Sequence, residues 1–581
     1  MIECRTSGDY LNQNLVTTHR ALRLTIAWPL MLALGAYAGS ARAAELYGDA
    51  DTALRWDNTL KYSGGLRLEK PLPALIAGPN GDDGDRNFQP GLISNRVDLL
   101  SEMDVVFQGA DALWGANASG AAWYDTVYNA NTDATRTTPP GFYVLSGHFS
   151  PPVRNLHGRH AELLDAYAYV SSSIADVPFS VRAGRHTLLW GESLFFAGNG
   201  VAAGQAPIDT IKALSVPVTR AKEVYMPVAQ ISASVQPTPE LSVSAYYQFE
   251  WRKSRLPGAG SYFSAADFLD AGGYRIYVGP NQYLSRGRDT PAPDSGQFGL
   301  ALRATGGAFD YGVYALRFNA REPQLYLRPN PVPVVAADAR VERPLAYGTA
   351  PGIFYGPSNP LKVLFPGGFG TASGIVGSYN LVYPEGIQVY GGSFSGYLGD
   401  GNLAGEVSLR RRMPLISTAL VLLPGATADA DTAHLYARGN TLHGQISYVA
   451  SLPPGRLWDD ASISSEIAAT HRLNMNRNAA VLDTSRSRSA AIASAVFEPR
   501  YYAVLPGLDL SLPASVAYGF AGRSSVDGSQ TKGTGSASLG MSATYRAVWP
   551  GSLSVTHFIG GPSKQPFTDR DFLSFSVQRT F

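Results

Sequence analysis

Charge is scarce in this chain: Asp, Glu, Lys and Arg make up 16% of its 581 residues, against about 25% in a typical soluble domain. Its 47 basic and 46 acidic side chains leave a net charge of +1. There is no basic excess to neutralise phosphates, which excludes nucleic acid as a partner. Cysteine is nearly absent as well. The single one, Cys4, excludes a disulfide framework and Cys-ligated zinc. After the first 44 residues no apolar run reaches eighteen, so no transmembrane helix is expected. Helical periodicity is almost missing too, apart from a short candidate around Pro207 to Leu214. The chain is nonetheless not disordered in composition, with 31 Tyr, 24 Phe and 11% aromatic residues overall.

The N-terminus reads as a secretory signal. His19, Arg20 and Arg23 precede an apolar stretch from Leu24 to Ala38, and Ala41 and Ala43 form an A-x-A cleavage site. Pro29 and the short apolar length argue against an uncleaved membrane anchor. Residues 1–44 are therefore expected to be removed, and Cys4 with them. The remaining 45–581 would be exported, as a soluble protein or an outer-membrane barrel.

What the chain has in abundance is period-2 alternation, in stretches of about ten residues separated by Gly, Pro, Asn and Asp. Leu241, Val243, Ala245, Tyr247, Phe249 and Trp251 alternate with Ser242, Ser244, Tyr246, Gln248 and Glu250. Ala537, Leu539, Met541, Ala543 and Tyr545 alternate with Ser536, Ser538, Gly540, Ser542 and Thr544. Similar segments, 374–383 among them, bring the total to about nineteen candidate strands. Length alone suggests about four domains, but one large closed sheet accounts for the pattern better.

A soluble β-sandwich also alternates, and three features favour a barrel in a membrane. Many polar faces carry small Ser, Gly and Thr residues, as a hydrated lumen would. Aromatics recur near strand ends, as interfacial girdles do. At the C-terminus Leu573, Phe575, Val577 and Phe581 alternate with Ser574, Ser576, Gln578 and Thr580. A last strand ending in Phe resembles the signal that engages the barrel-assembly machinery of bacterial outer membranes. Arg579 departs from it on the apolar face, within reach of the interface. The expected fold is all-β: a single transmembrane antiparallel barrel of about 16–18 strands, both termini periplasmic, with an inward-folded loop.

The segments NRVDLLSEMDVVF (95–107), DAYAYVSSSIADVPFSVRAGRHTLLWGESLFF (165–196) and VPVTRAKEVYMPVAQISASVQPTPELSVSAYYQFEW (216–251), with the terminal FLSFSVQRTF, carry a family likeness. The chain resembles the proteobacterial outer-membrane proteins of the domain-of-unknown-function 1302 family across nearly all of 45–581. The resemblance implies an outer-membrane barrel in contact with lipid and lipopolysaccharide. It also implies association with a periplasmic lipid-carrier-like protein and an inner-membrane permease, and movement of hydrophobic or amphiphilic compounds. It supplies no catalytic residues.

The most informative stretch is 186–225, far longer than a hairpin turn. It combines Leu188, Leu189, Trp190, Leu194, Phe195 and Phe196 with small residues over 197–204, then Asp209, Lys212, Arg220, Lys222 and Glu223. Such apolar bulk is unsuited to a solvated loop. The expectation is a constriction or plug folded into the lumen. Trp190, Phe195 and Phe196 would form an apolar gate, and Arg182, Arg185, Glu192 and Lys212 would set polarity, with Asp209 and Arg220 in the same set. An extracellular cap packed on other loops is the alternative.

Other motifs carry less. Gly198, Gly200 and Gly204 lack the Gly-Lys-Ser/Thr of a phosphate loop. The acidic turn Asp82-Asp83-Gly84-Asp85 lacks the EF-hand spacing and reads as a solvated loop. The consecutive Arg410, Arg411 and Arg412 must alternate faces, which places them near an interface. Long loops at 252–295 and 320–373 would cap the barrel, capture a ligand or serve as receptor surface. No G-x-S-x-G or H-E-x-x-H motif accompanies the histidines, and His157 and His160 lie beside Pro151-Pro152 in an apparent loop. No enzyme activity, metal or cofactor is expected. The expected role is an outer-membrane channel for small hydrophobic or amphiphilic molecules, with a structural or adhesive barrel presenting long loops as the alternative.

Overall fold

The computed structural model describes residues 44–49, 51–134, 147–216, 221–279, 282–330, 374–423 and 425–581. Nearly all of the signal segment, Arg220 and most of the 320–373 loop lie outside these. Eighteen antiparallel strands close into one barrel. In chain order they are β1 (Thr52–Arg67), β2 (Gly91–Gln108), β3 (Ala112–Asp125), β4 (Arg159–Ile174), β5 (Val177–His186) and β6 (Val228–Thr238). Next come β7 (Leu241–Gln248), β8 (Gln297–Gly306), β9 (Phe309–Phe318), β10 (Ile387–Leu398), β11 (Gly401–Pro414) and β12 (Arg438–Leu452). The last six are β13 (Asp460–Arg477), β14 (Ser489–Leu505), β15 (Leu508–Ser511 and Ala514–Gly522), β16 (Gly535–Tyr545), β17 (Trp549–Ile559) and β18 (Phe572–Thr580). β15 is interrupted at Leu512-Pro513, because proline has no N–H to give the ladder.

Closure joins the two ends of the chain. β18 pairs with β1 from Thr59↔Thr580 to Arg67↔Phe572, and Phe581 exchanges two backbone hydrogen bonds of 2.8 Å with Asn58. The eighteen wall strands thus pair on both sides, as a sheet facing lipid requires. Arg579, the exception to the terminal pattern, places its guanidinium 5.0 Å from the centre of the Trp549 ring. Charge and aromatic thus share the rim.

The alternation sorts side chains as the pleat requires. Leu300, Leu302, Val313, Val407, Ile446, Ile467, Leu539 and Val555 are exposed on the outer face. Trp56, Phe107, Trp114, Tyr397 and Tyr545 ring the end with short turns. Inside β16–β18 hydroxyls predominate on the wall. Ser538 bonds Thr556, Ser552 bonds Ser576 and Ser554 bonds Ser574, at 2.8–2.9 Å.

The other end carries the long loops. Arg275–Gly279, Gln282–Arg286, Gln324–Pro329, Gly374–Val382 and Leu420–Val421 form a separate five-stranded sheet there. Phe268, Ile276, Leu284, Leu327 and Tyr379 form its core. The 374–383 segment therefore belongs to this sheet and not to the barrel wall. Its Val376, Tyr379, Leu381 and Val382 are buried as those of a barrel strand facing lipid would not be.

The acidic turn also differs from its expected solvated state. Asp83–Arg86 is one helical turn. Asp85, fully buried, pairs with Arg67 and with Arg570 at 3.0 Å each, and Asp569 joins Arg67 at 3.2 Å. Two guanidiniums and two carboxylates there lock β1, its following loop and the approach to β18 together.

Candidate functional site

The chain between β5 and β6 turns into the barrel. Trp190 packs on two wall rings, Tyr246 of β7 at 5.1 Å and Tyr314 of β9 at 6.2 Å, and its N–H donates to Gln205 Oε1 at 2.5 Å. Beyond it the backbone crosses to the faces of β11–β13. Glu406 of β11 accepts from the N–H groups of Glu192, at 2.8 Å, and of Val201. Glu466 of β13 accepts from three consecutive amides, Leu194 at 3.3 Å, Phe195, and Phe196 at 3.0 Å. Arg410 donates to the carbonyls of Gly198, Asn199 and Gly200 at 2.6–3.1 Å. Asn199 reaches Gly444 O, Gln445 and His443 at 3.1–3.2 Å.

Glycine is required at two places in this segment. A Cβ on Gly191 would lie 2.1 Å from a Glu406 carboxylate oxygen, and one on Gly200 would lie 2.9 Å from the other. Gly191 also has φ +94°, a region that favours glycine. The glycines here bring backbone close to wall carboxylates; they do not cradle phosphate. Buried charges of this kind need hydrogen bonds, and the segment's amides and carbonyls supply most of them.

The second half of the segment meets a charged wall. The helix Thr210–Ser215 falls on the predicted short helix, and Asp209 caps it by accepting from Lys212 N at 3.0 Å. Lys212 pairs with Glu162 of β4 at 3.3 Å, and Arg255 joins Glu162 at 2.5 Å and Asp209 at 2.6 Å. Burial works against the Arg255 charge, but Glu162 and Asp209 outweigh it and raise its pKa. Trp123 lies beneath, with Arg96 at 4.6 Å and Lys212 at 4.9 Å from its ring.

The predicted site residues therefore divide. Trp190 is buried against the wall and does not stand in the open lumen, whereas Leu194 and Phe195 are 43% and 38% exposed inside it; Phe196 is half-buried. Arg182 lies over the Tyr167 ring at 5.7 Å, and Arg185 pairs with Glu250 at 3.8 Å. Asp209 and Lys212 come together in the Glu162 network. Glu192 stands apart from that network; burial raises its carboxyl pKa, with Arg303 opposing and Glu406 and Asp310 adding to the rise.

Sequence reasoning missed the anchors Glu406, Arg410, His443 and Glu466. A signal was present. Glu466 is the one charge in the middle of an inward face that reads Ser462, Ser464, Glu466, Ala468, Thr470 between Asp460 and Arg472. The Arg410–Arg412 triplet does divide between environments: Arg410 is buried on the segment, and Arg412 pairs with Asp431. Among the described residues, Asp82, Asp83 and Asp267 bring ligand oxygens within 4.8 Å of one another, at the loop end and not in the lumen. His157 is buried and accepts from Gly258 N at 3.0 Å. No described helix is long and apolar enough to cross a membrane.

A closed sheet with an apolar outer belt, a polar interior and a long loop bound inside defines a transmembrane β-barrel with a partly filled lumen. The chain belongs to the family described as "Protein of unknown function (DUF1302)", which matches residues 24–581. No curated protein matches it. Similar solved structures include OccAB3 of Acinetobacter baumannii, at 9% identity and a TM-score of 0.43 over 91% of this chain and 99% of that one. The outer membrane channel DcaP of the same organism gives 9% and 0.37 over 93% and 100%. Pseudomonas aeruginosa OpdK with vanillate gives 7% and 0.38 over 91% and 98%.

Proposed function

We propose that this chain is a channel of the Gram-negative outer membrane for small hydrophobic or amphiphilic molecules, narrowed by its 188–206 segment. The observation that carries this reading is the segment's attachment to the far wall through Glu406, Arg410 and Glu466. A loop held by buried charges divides the lumen and leaves the hydroxyl-rich wall of β16–β18 as one side of the remaining path. Leu194 and Phe195 offer apolar surface beside it, which suits a solute with both polar and apolar parts. The route in this reading is axial, along the lumen and not between strands, since the wall is a closed hydrogen-bonded sheet. Opening it sideways would strand backbone groups in lipid.

Short turns then face the periplasm and long loops the exterior. In this arrangement the short-turn rim meets periplasmic partners, for which the family resemblance points to a lipid-carrier-like protein feeding an inner-membrane permease. The terminal strand ending in Phe581 would engage the assembly machinery. The chain acts by passage and not by catalysis. Thr441, His443 and Asn199 line up in hydrogen-bond contact at 2.8 and 3.1 Å, but all three are buried and hold the segment in place.

The test is conductance of the purified, refolded barrel in a planar bilayer, with and without residues 197–206. Discrete conductance steps that grow on deletion support the reading. Equal permeability with and without these residues removes the constriction. A folded but silent barrel in both forms favours the structural or adhesive alternative.

A further inference from the structure

Most lumen charges are spent on one another, as in Arg96–Asp98 at 2.6 Å and Lys212–Glu162 at 3.3 Å. Some near the short-turn end are not, Arg303 and Asp310 among them. Arg303 of β8 and Asp310 of β9 make no ion pair within 4.0 Å among the described residues, and both are exposed. Their positions on the ladder are fixed: Arg303 lies opposite Ser242 and Gly312, and Asp310 opposite Thr305 and Ser395. With Glu192, Gln236, Glu240, Ser242 and Ser395 they line a cavity of about 400 Å³, so three carboxylates there face one guanidinium.

The charges in this cavity are of both signs and unequal in number. Glu192 is carried in on the inward segment, its backbone held by Glu406. Asp310 and Glu406 both act against its negative charge, and Arg303 favours it without forming a pair. A guanidinium presents a planar fork that suits a carboxylate. Carboxylates and hydroxyls at hydrogen-bonding positions suit an ammonium group. The volume is on the order of ten water molecules, which matches a solute of amino-acid size and is too small for a diacyl lipid.

We infer that this cavity is a binding subsite for small zwitterions. Arg303 receives the carboxylate, and Glu192 with Asp310 receives the ammonium; the apolar tail extends along the lumen. The inference rests on the channel reading for how a solute arrives, and it narrows the permeant class to amphiphiles bearing both charges.

The experiment titrates the purified full-length barrel in detergent with norleucine, hexanoate and hexylammonium by calorimetry, and records bilayer conductance of the same preparation. Norleucine should bind, with the two singly charged analogues at least tenfold weaker. Arg303→Ala and Asp310→Asn should each weaken norleucine binding tenfold or more. Arg303→Lys, which keeps the charge and loses the fork, should fall between. Both positions are exposed, so folding, read as the heat-modifiable gel shift, should be unchanged. Norleucine affinity unaffected by Arg303→Ala, or hexylammonium binding as well as norleucine, overturns the assignment. So does a protein that conducts and binds none of the three, and the channel reading then stands alone. Binding without conductance leaves the subsite and removes the channel.

Discussion

Glu466→Ala is the most direct perturbation of the inward segment. The carboxylate is 1% exposed and accepts from the amides of Leu194, Phe195 and Phe196. A hydrogen bond to a charged group contributes about 1.5–3 kcal/mol. The Leu194 contact is long, so two bonds carry most of the effect, about 3–6 kcal/mol in all if the freed amides stayed dry. The lumen is wet and rehydration returns part of this, leaving about 2–3 kcal/mol, or roughly 30- to 150-fold in the equilibrium between attached and detached loop. Hydrogen exchange should read that factor directly at the amides of 194–196, with smaller effects toward Val201, which Glu406 still holds. Single-channel records should show a larger or more frequent open level. Exchange at 194–196 unchanged in the variant would refute the anchoring argument, whatever the conductance does.

Gly191→Ala should act in the same direction, because the new Cβ would meet Glu406 at 2.1 Å in a backbone region hostile to L side chains; Gly198→Ala, with nothing within 4 Å, should leave exchange and conductance unchanged. Asp85→Ala strands Arg570 in a buried cluster and leaves Arg67 with Asp569 alone; it should cost about 3–5 kcal/mol, seen as a lower temperature for the heat-modifiable gel shift. The loop helix gives a pH prediction. Burial raises Asp82 to about 6, with Arg86 opposing, and raises Asp83 to about 7, with Asp82 adding to the rise. Folded pKa values above the unfolded one mean that the folded state binds the extra protons. Stability of this end should therefore be highest near pH 4 and fall as pH rises to about 7. Asp83→Asn should flatten the profile of hydrogen exchange over residues 80–88 between pH 5 and 8.

The fold was legible where the alternation was undisturbed. Leu241 to Gln248 and Gly535 to Tyr545 read as barrel strands because one face meets lipid and the other water, so the period-2 signal is strong. Gly374–Val382 alternates too, but periodicity does not say which sheet a strand joins. That depended on its pairing with Gln282–Arg286 and Gln324–Pro329, which belong to other parts of the loops at the barrel mouth. The acidic turn was misread because nothing local reveals Arg570, which lies 485 positions from Asp85 and bonds it at 3.0 Å.

Local residue pattern sets the class of solvent on each face: scarce charge, alternating Ser and Leu, and a final Phe specify strands between water and lipid. It also marks 186–225 as a segment too apolar for a surface loop. Only the tertiary structure decided what that segment touches. Trp190 went to the wall and Leu194 and Phe195 remained accessible, because Glu406 and Glu466 are spaced to take the intervening amides. Glu192 was left beside Arg303 and Asp310 for the same reason. The pleat is a short-range property that each strand carries in its own residues. Contacts across a closed lumen exist only after eighteen strands have fixed which inward charges stand opposite one another.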